Sequence, residues 1–312
     1  MCPSEKDDNC PISRRHFHRD VAVTTAAGLA VAGLPTAARS EPAAQKTKLP
    51  AGKYIDVHTH LEQKWFHRGE LTADMMLQWM DEHDVARVVV LALVSPEAWH
   101  YPISSHWVLE ATKDHHDRLI PFCDVDPRTV YLKGVKGFKQ MLQRYVDAGA
   151  KGLGEHKCAG PINDPRRMDL FRAAAELGLP ILFHMDGLRN TDKPGLPGLE
   201  QVLKEIPNTV FLGHAPGWWN AIKDGTIDRL MDKYPNIYGD LSAGSGYHAI
   251  SRDPAFGRQF VLRRADRLCF GTDYLSKGQK IPQFAFYDKL DLPEEVQAKV
   301  FRDNARRILG LP

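Results

Sequence analysis

Eight short apolar runs of strand-like composition, separated by longer stretches with helical spacing, constrain this 312-residue chain more than any other feature. The runs cover residues 54–60, 86–94, 119–125, 151–155, 179–184, 209–214, 237–240 and 268–273. Helical periodicity marks 72–82, 133–148, 166–177, 198–206 and 221–233 between them. Two further helices are expected within 101–114 and 253–264, where aromatic, histidine and glycine residues break the pattern. A strand alternating with a helix eight times is the plan of a closed parallel barrel, so the expected fold is α/β, a single-domain (β/α)8 TIM barrel. Boundary residues agree. Asp164-Pro165 reads as an N-cap followed by proline in the first turn, Gly178 ends the helix it opens, and Pro180 leads into the next strand.

The segment before the barrel is a separate object. Ser13-Arg14-Arg15-His16-Phe17 precedes an apolar stretch from Val21 to Leu34, and the small residues Thr36-Ala37-Ala38 follow it. This order resembles a bacterial twin-arginine export signal, which implies the twin-arginine machinery as a partner and a periplasmic or extracellular destination. The apolar stretch is too short, and too rich in Ala, Gly and Thr, for a membrane span. The expected organisation is a signal over 1–38, a flexible lead-in over 39–50 and the barrel over 51–312. From Arg39 onward 274 residues remain, against about 250 for a typical eightfold barrel.

Charge and cysteine content exclude other roles. Without the signal's four basic and four acidic residues, 37 basic and 35 acidic residues remain. So even a balance gives no electrostatic case for nucleic acid. Cys123 and Cys269 fall in strand-like runs and read as small core residues, whereas Cys158 follows the fourth run, near the expected site. Cys2 and Cys10 fall in the signal, and the three cysteines beyond it, without a CxxC pair, do not make a disulfide scaffold.

The chemistry-bearing residues stand where strands end. His58 and His60 are two apart, so on a strand they share a face and can grip one ion together, with Tyr54 and Asp56 on that same face. His184, His214 and Asp273 each close a later run. Imidazoles with a carboxylate suit a divalent metal, zinc best and manganese or iron less selectively, and they leave a position for water. Asp273 shares a strand face with Gly271, which would carry its carboxylate above the barrel mouth; an aspartate there also serves as a turn cap. His214 alternates inward with Val210 and Leu212, to orient water, polarise a carbonyl or bind a second ion. Glu155 falls on the face of Leu153 and would point outward unless a bulge shifts it. Without a bulge, His156 or Lys157 would face inward, with Lys157 holding an anionic group of the substrate. The loops supply aromatic walls around a small-molecule substrate: Trp99, His100 and Tyr101, then Trp218 and Trp219, then Tyr274, with Asp186 and Arg189 as polar contacts.

The ordered set of His58-x-His60, Lys151-Gly152-Leu153-Gly154-Glu155, Ile181-Leu182-Phe183-His184, Phe211-Leu212-Gly213-His214 and Phe270-Gly271-Thr272-Asp273 resembles the amidohydrolase superfamily. More narrowly it is similar to its amidohydrolase-related group, which includes lactonases and decarboxylases. Asp303-Asn304-Ala305-Arg306-Arg307-Ile308-Leu309-Gly310 is similar to the terminal helix of that group. The resemblance implies His58, His60, His184 and Asp273 as ligands of one metal ion. Glu155 would bridge to a second, and Asp273 and His214 would be catalytic. It implies a hydrolase acting on an amide, ester or lactone; a decarboxylase on the same barrel is the alternative, and a non-catalytic barrel fits least.

Overall fold

The structure is a computed structural model that describes residues 52–63, 69–129, 131 and 134–312. All the described residues fall within the unit Lys48–Pro312. The expected signal and lead-in lie outside the described residues. No helix among the described residues is long and apolar enough to cross a membrane.

Among the described residues eight parallel strands form: β1 Tyr54–Thr59, β2 Val85–Val90, β3 Leu119–Pro121, β4 Leu153–His156, β5 Ile181–His184, β6 Phe211–His214, β7 Ile237–Asp240 and β8 Leu268–Cys269. They pair in chain order within a three-stranded and a five-stranded sheet. Backbone bonds join the two. Cys123 N–H donates to the Gly152 carbonyl at 3.0 Å and Gly154 N–H to Cys123 at 2.7 Å. On the other side Val57 N–H meets Phe270 at 3.0 Å and His60 N–H meets Tyr274 at 3.0 Å. These contacts close the barrel and leave its two seams without a free edge.

Strand faces divide the core in two. Ile55, Val57, Val89, Leu91, Ile120, Phe122, Leu182 and Leu212 form one buried cluster, while Tyr54, Val88, Val90, Leu153, Ile181, Phe183 and Phe211 pack in the larger one with the helices. The helices that follow β1 to β5 are α1 Ala73–Glu82, α2 Ser105–Thr112, α3 Gly134–Asp147, α4 Pro165–Glu176 and α5 Pro197–Glu205. Each lies within four residues of its expected limits at the N-terminal end and two at the C-terminal end. At α4 the Asp164 side chain accepts from the N–H groups of Arg166 and Arg167, satisfying donors that a helix start leaves unpaired.

Two expectations change. The single helix at 221–233 is instead α6 Pro216–Trp219, a 3-10 turn Asn220–Ile222 and α7 Thr226–Lys233. Gly225 at φ +77° interrupts it, a left-handed conformation that glycine takes at no steric cost. After β7 two helices form rather than one, α8 Ala243–Ser251 and α9 Pro254–Arg264. Asp253 caps α9 by accepting from Phe256 N–H. The terminal helix Asn304–Ile308 is anchored by Asn304, which is buried and donates to the Ala265 and Leu268 carbonyls at 2.7 and 2.8 Å.

Candidate metal centre

β1 delivers its histidines through a register shift, not the simple alternation expected. Asp56 pairs with Val88 and Thr59 with Val90, so His58 turns to the centre although Tyr54 packs with the outer cluster and Ile55 and Val57 with the inner one. His58 and His60 are buried with their Nε2 atoms 3.3 Å apart. Asp56, on the same strand, accepts from the N–H groups of His58 and Thr272 and from the Thr272 hydroxyl, so it fastens β1 to the segment after β8. Burial pushes the Asp56 carboxyl up to about 7 despite those bonds.

Glu155 reaches the same centre because β4 carries an extra residue. Leu153 pairs with Ile181 and His156 with Phe183, so three steps on β4 span two on β5. That shift resolves the parity conflict in favour of a bulge. Glu155 Oε2 lies 3.4 Å from His60 Nε2 and 3.7 Å from His58 Nε2, while Oε1 lies 2.6 Å from His184 Nδ1 and 3.9 Å from His214 Nε2. One carboxylate therefore faces two histidine pairs. Burial opposes its ionisation, but the Lys157 ammonium and His184 hold it well below the usual carboxylate range.

His156 turns the other way. Its Nδ1 donates to Asp124 at 2.9 Å and its Nε2 accepts from Arg167 Nε at 3.1 Å. Arg167, also buried, donates to the carbonyls of Cys158, Ala159, Gly160 and Pro161, so a charged fork stitches the loop after β4 to α4. Cys158 is buried in that loop, 3.9 Å from Asp126, and does not reach the cavity beside the centre.

β5 and β6 run in register, with His184 opposite His214. The Ser242 hydroxyl donates its one proton to Asp240 at 2.9 Å, so it accepts from His214 Nδ1 at 2.9 Å. His214 therefore presents a bare Nε2 inward. Burial and the nearby His58 lower the pKa of His214. Asp240, at the end of β7, also lies 2.7 Å from His58 Nδ1. It was not singled out in the sequence. The signal available was its place at the end of a strand, the position His184 and His214 share.

Asp273 arrives by a different route from the one expected. β8 ends at Cys269, and Asp273 sits beyond it at φ +60°. Its N–H donates to the His58 carbonyl at 2.8 Å, and its Oδ1 lies 3.6 Å from Nε2 of both His58 and His60. A left-handed turn rather than strand alternation aims the carboxylate, a conformation uncommon outside glycine and enriched at functional sites.

Three overlapping groups result: His58 with His60 and Glu155, His58 with His214 and Asp273, and Glu155 with His184 and His214. A divalent ion fits them on two observations. Glu155 Oε2 is buried without a hydrogen-bond partner. Ligand atoms of a tetrahedral zinc with bonds of about 2.0–2.1 Å stand about 3.3–3.4 Å apart, close to the 3.3, 3.4 and 3.7 Å that separate the His58, His60 and Glu155 atoms.

A cavity of about 40 Å³ opens beside the centre, lined by His60, Glu62, Leu93, Trp99, Lys157, Asp273 and Leu275. That is room for about one or two water molecules. Lys157 Nζ lies 3.7 Å from Glu155 Oε2. Glu62 shapes the opposite wall by accepting from Trp99 Nε1 at 2.9 Å and from the Tyr101 hydroxyl at 2.6 Å. Trp218, expected at the substrate, is instead fully buried over Gly213 and does not line this cavity. Trp219 is buried and donates to the Asp240 carbonyl, and Tyr274 stacks on Trp79. These aromatics read as lining when only chain order is known; tertiary packing draws them into the core.

The sequence model of the amidohydrolase family matches residues 55–311. The chain belongs to that family, and its fold is the TIM barrel that the family's structures share. An uncharacterized TIM-barrel protein from Bordetella bronchiseptica is similar, with 17% identity, a TM-score of 0.64 and coverage of 82% of this chain and 98% of the other. A probable 2-pyrone-4,6-dicarboxylic acid hydrolase from Acinetobacter baumannii, with citric acid bound, has 14% identity, a TM-score of 0.58 and coverage of 83% and 100%. The 2,6-dihydroxybenzoate decarboxylase from Rhizobium has 16% identity, a TM-score of 0.55 and coverage of 82% and 98%. No curated protein matches the chain in sequence.

Proposed function

We propose that this protein is a metal-dependent hydrolase that cleaves the C–O or C–N bond of a lactone, ester or amide in a small molecule. The observation that carries the reading is Asp273, a partly exposed carboxylate 3.6 Å from both His58 and His60 at the edge of the cavity. His58, His60 and Glu155, with Asp273 3.6 Å from both histidines, would hold the ion, zinc suiting the set best, and His184 with His214 at the other oxygen of Glu155 leaves room for a second. When bound, such an ion supplies Lewis acidity and brings the pKa of a water to about 7.

The chain's own residues do the rest. Asp273 takes the proton of the attacking water and returns it to the leaving group. The bare Nε2 of His214 accepts a hydrogen bond from that water or ligates a second ion; polarising a carbonyl would need a proton there. Lys157 holds an anionic group of the substrate. Arg189 does not compete for that role, because its guanidinium is engaged by Asp186 and the Glu97 carbonyl.

Lys157 at the cavity also favours a second reading, decarboxylation of a carboxylated substrate. A screen of lactones, esters, amides and carboxylated aromatics with zinc- and manganese-loaded protein separates the two. Ring opening or bond cleavage without carbon dioxide supports the hydrolase, carbon dioxide release replaces it with the decarboxylase, and full activity of Asp273→Asn rejects both. We further propose export by the twin-arginine route, from the arginine pair and apolar run at 13–34. Undiminished appearance outside the cytoplasm after Arg14→Lys with Arg15→Lys would remove that proposal.

A further inference from the structure

His184 is held from both sides. Its Nδ1 lies 2.6 Å from Glu155 Oε1, in the centre, and its Nε2 lies 3.0 Å from Asp186 Oδ2, outside the three ligand groups and outside the cavity. Asp186 is itself fixed. Its Oδ1 accepts from the N–H groups of Leu188 and Arg189 at 2.8 and 2.7 Å, and its Oδ2 takes the Arg189 fork, with Nε at 2.8 Å. Arg189 Nη1 then donates to the Glu97 carbonyl at 3.3 Å. The Glu97 side chain accepts from Ala159 N–H and pairs with Arg128. Asn190, buried in a left-handed conformation, donates to the His156 and His184 carbonyls at 2.7 Å each. The orientation of one imidazole is thus referred to the loops after β2, β3 and β4.

We propose that Asp186, anchored by Arg189, is a positioning residue that accepts the Nε2–H of His184 and so commits Nδ1 of that ring to the metal centre. The inference rests on the metal-centre reading of Glu155 and His184. Both ring nitrogens face carboxylates, which only accept; an ion taking the Nδ1 lone pair would leave the ring's proton on Nε2, where Asp186 accepts it. Partners of this kind fix the tautomer and ring orientation of a ligating histidine and are worth about 10–100-fold in metal affinity. Asp186 touches neither the cavity nor the other ligands, so it acts through His184 alone.

The test uses the full chain as wild type, Asp186→Asn, Asp186→Ala and Arg189→Met. Zinc affinity is measured by competition with a chromogenic chelator. Nitrogen-15 histidine spectra are recorded with the His184 signals assigned by His184→Gln. Asp186→Asn keeps the volume but turns an NH₂ group toward donors whichever way its amide lies. It is expected to weaken zinc binding about 10–100-fold and to lose the His184 Nε2–H cross-peak. Asp186→Ala should do the same, so the result stands if one variant fails to fold. Arg189→Met should keep the cross-peak and lose less affinity, because the acceptor remains while its anchor is gone. Zinc affinity of Asp186→Asn or Asp186→Ala within about twofold of wild type, set against the expected 10–100-fold, would overturn the proposal. So would a wild-type His184 whose Nε2 carries no proton. Wild type that binds no divalent ion sinks the metal-centre reading, whereas the cross-peak in metal-free protein reports on the Asp186 contact by itself.

Discussion

Asp240 Oδ2 stands 2.7 Å from His58 Nδ1, and both residues are wholly buried. Burial alone would raise the aspartate, yet His58 and His214 hold it far below the usual carboxylate range. His58 in turn rises well above its ordinary value, because Asp240 and Asp273 outweigh the burial that would lower it. The same carboxylate takes the Ser242 hydroxyl, so a single acceptor orients two histidines of the centre. Gly271 makes the space, since a Cβ there would lie 2.5 Å from Asp240 Oδ1.

Replacing Asp240 by Asn should weaken divalent-metal binding about 10–100-fold while the barrel stays folded. The amide puts a donor beside either His58 Nδ1–H or Ser242. Chelator competition together with circular dichroism checks both halves.

Metal removal should lower stability. An ion that binds only the folded chain adds about 2.7 kcal/mol at a free concentration one hundred times its Kd. Melting wild type with and without a strong chelator should show the loss. His58→Ala, which lacks one of the paired Nε2 donors, should respond far less.

At Gly213, next to His214, a Cβ would lie 2.7 Å from the Trp218 ring. Gly213→Ala should therefore destabilise by about 1–3 kcal/mol, as overpacking in a closed core does. Denaturant unfolding measures this directly. A stability equal to wild type would mean that Trp218 can move away.

Asp126 carries a pH signature remote from the centre. Burial would raise its carboxyl, but hydrogen bonds from Arg128 bring it to about 2, against an ordinary 3.8. A depressed folded pKa gives stability that is complete above the ordinary value and lost as pH falls toward the folded one. Asp126→Asn should thus cost about 1 kcal/mol above pH 4, a figure reduced for the half-exposed Arg128. The two proteins should converge as pH falls from about 4 to about 2.

How far the sequence reaches can be judged residue by residue. Strand period, helix period and the residues that close each run were legible because they depend on near neighbours, as were His184 and His214, placed by simple alternation; His58 and His60 were legible as a pair, but a register shift in β1 turns them to the centre. Residues whose place depends on distant partners were not. Glu155 turns inward only because β4 gains a residue against β5, and Asp273 is aimed by a left-handed turn past a strand that ends early. Asp240 and Asp186 are polar residues of no special type until folding sets them against imidazole nitrogens. Trp218 shows the converse, a loop aromatic in the sequence and a core residue in the fold. The sequence by itself determined the barrel and its histidines, because a two- or 3.6-residue period is a local property of the backbone. Only the tertiary structure decided which carboxylates face them, because register slips, positive φ angles and contacts across strands are settled by the whole closed sheet.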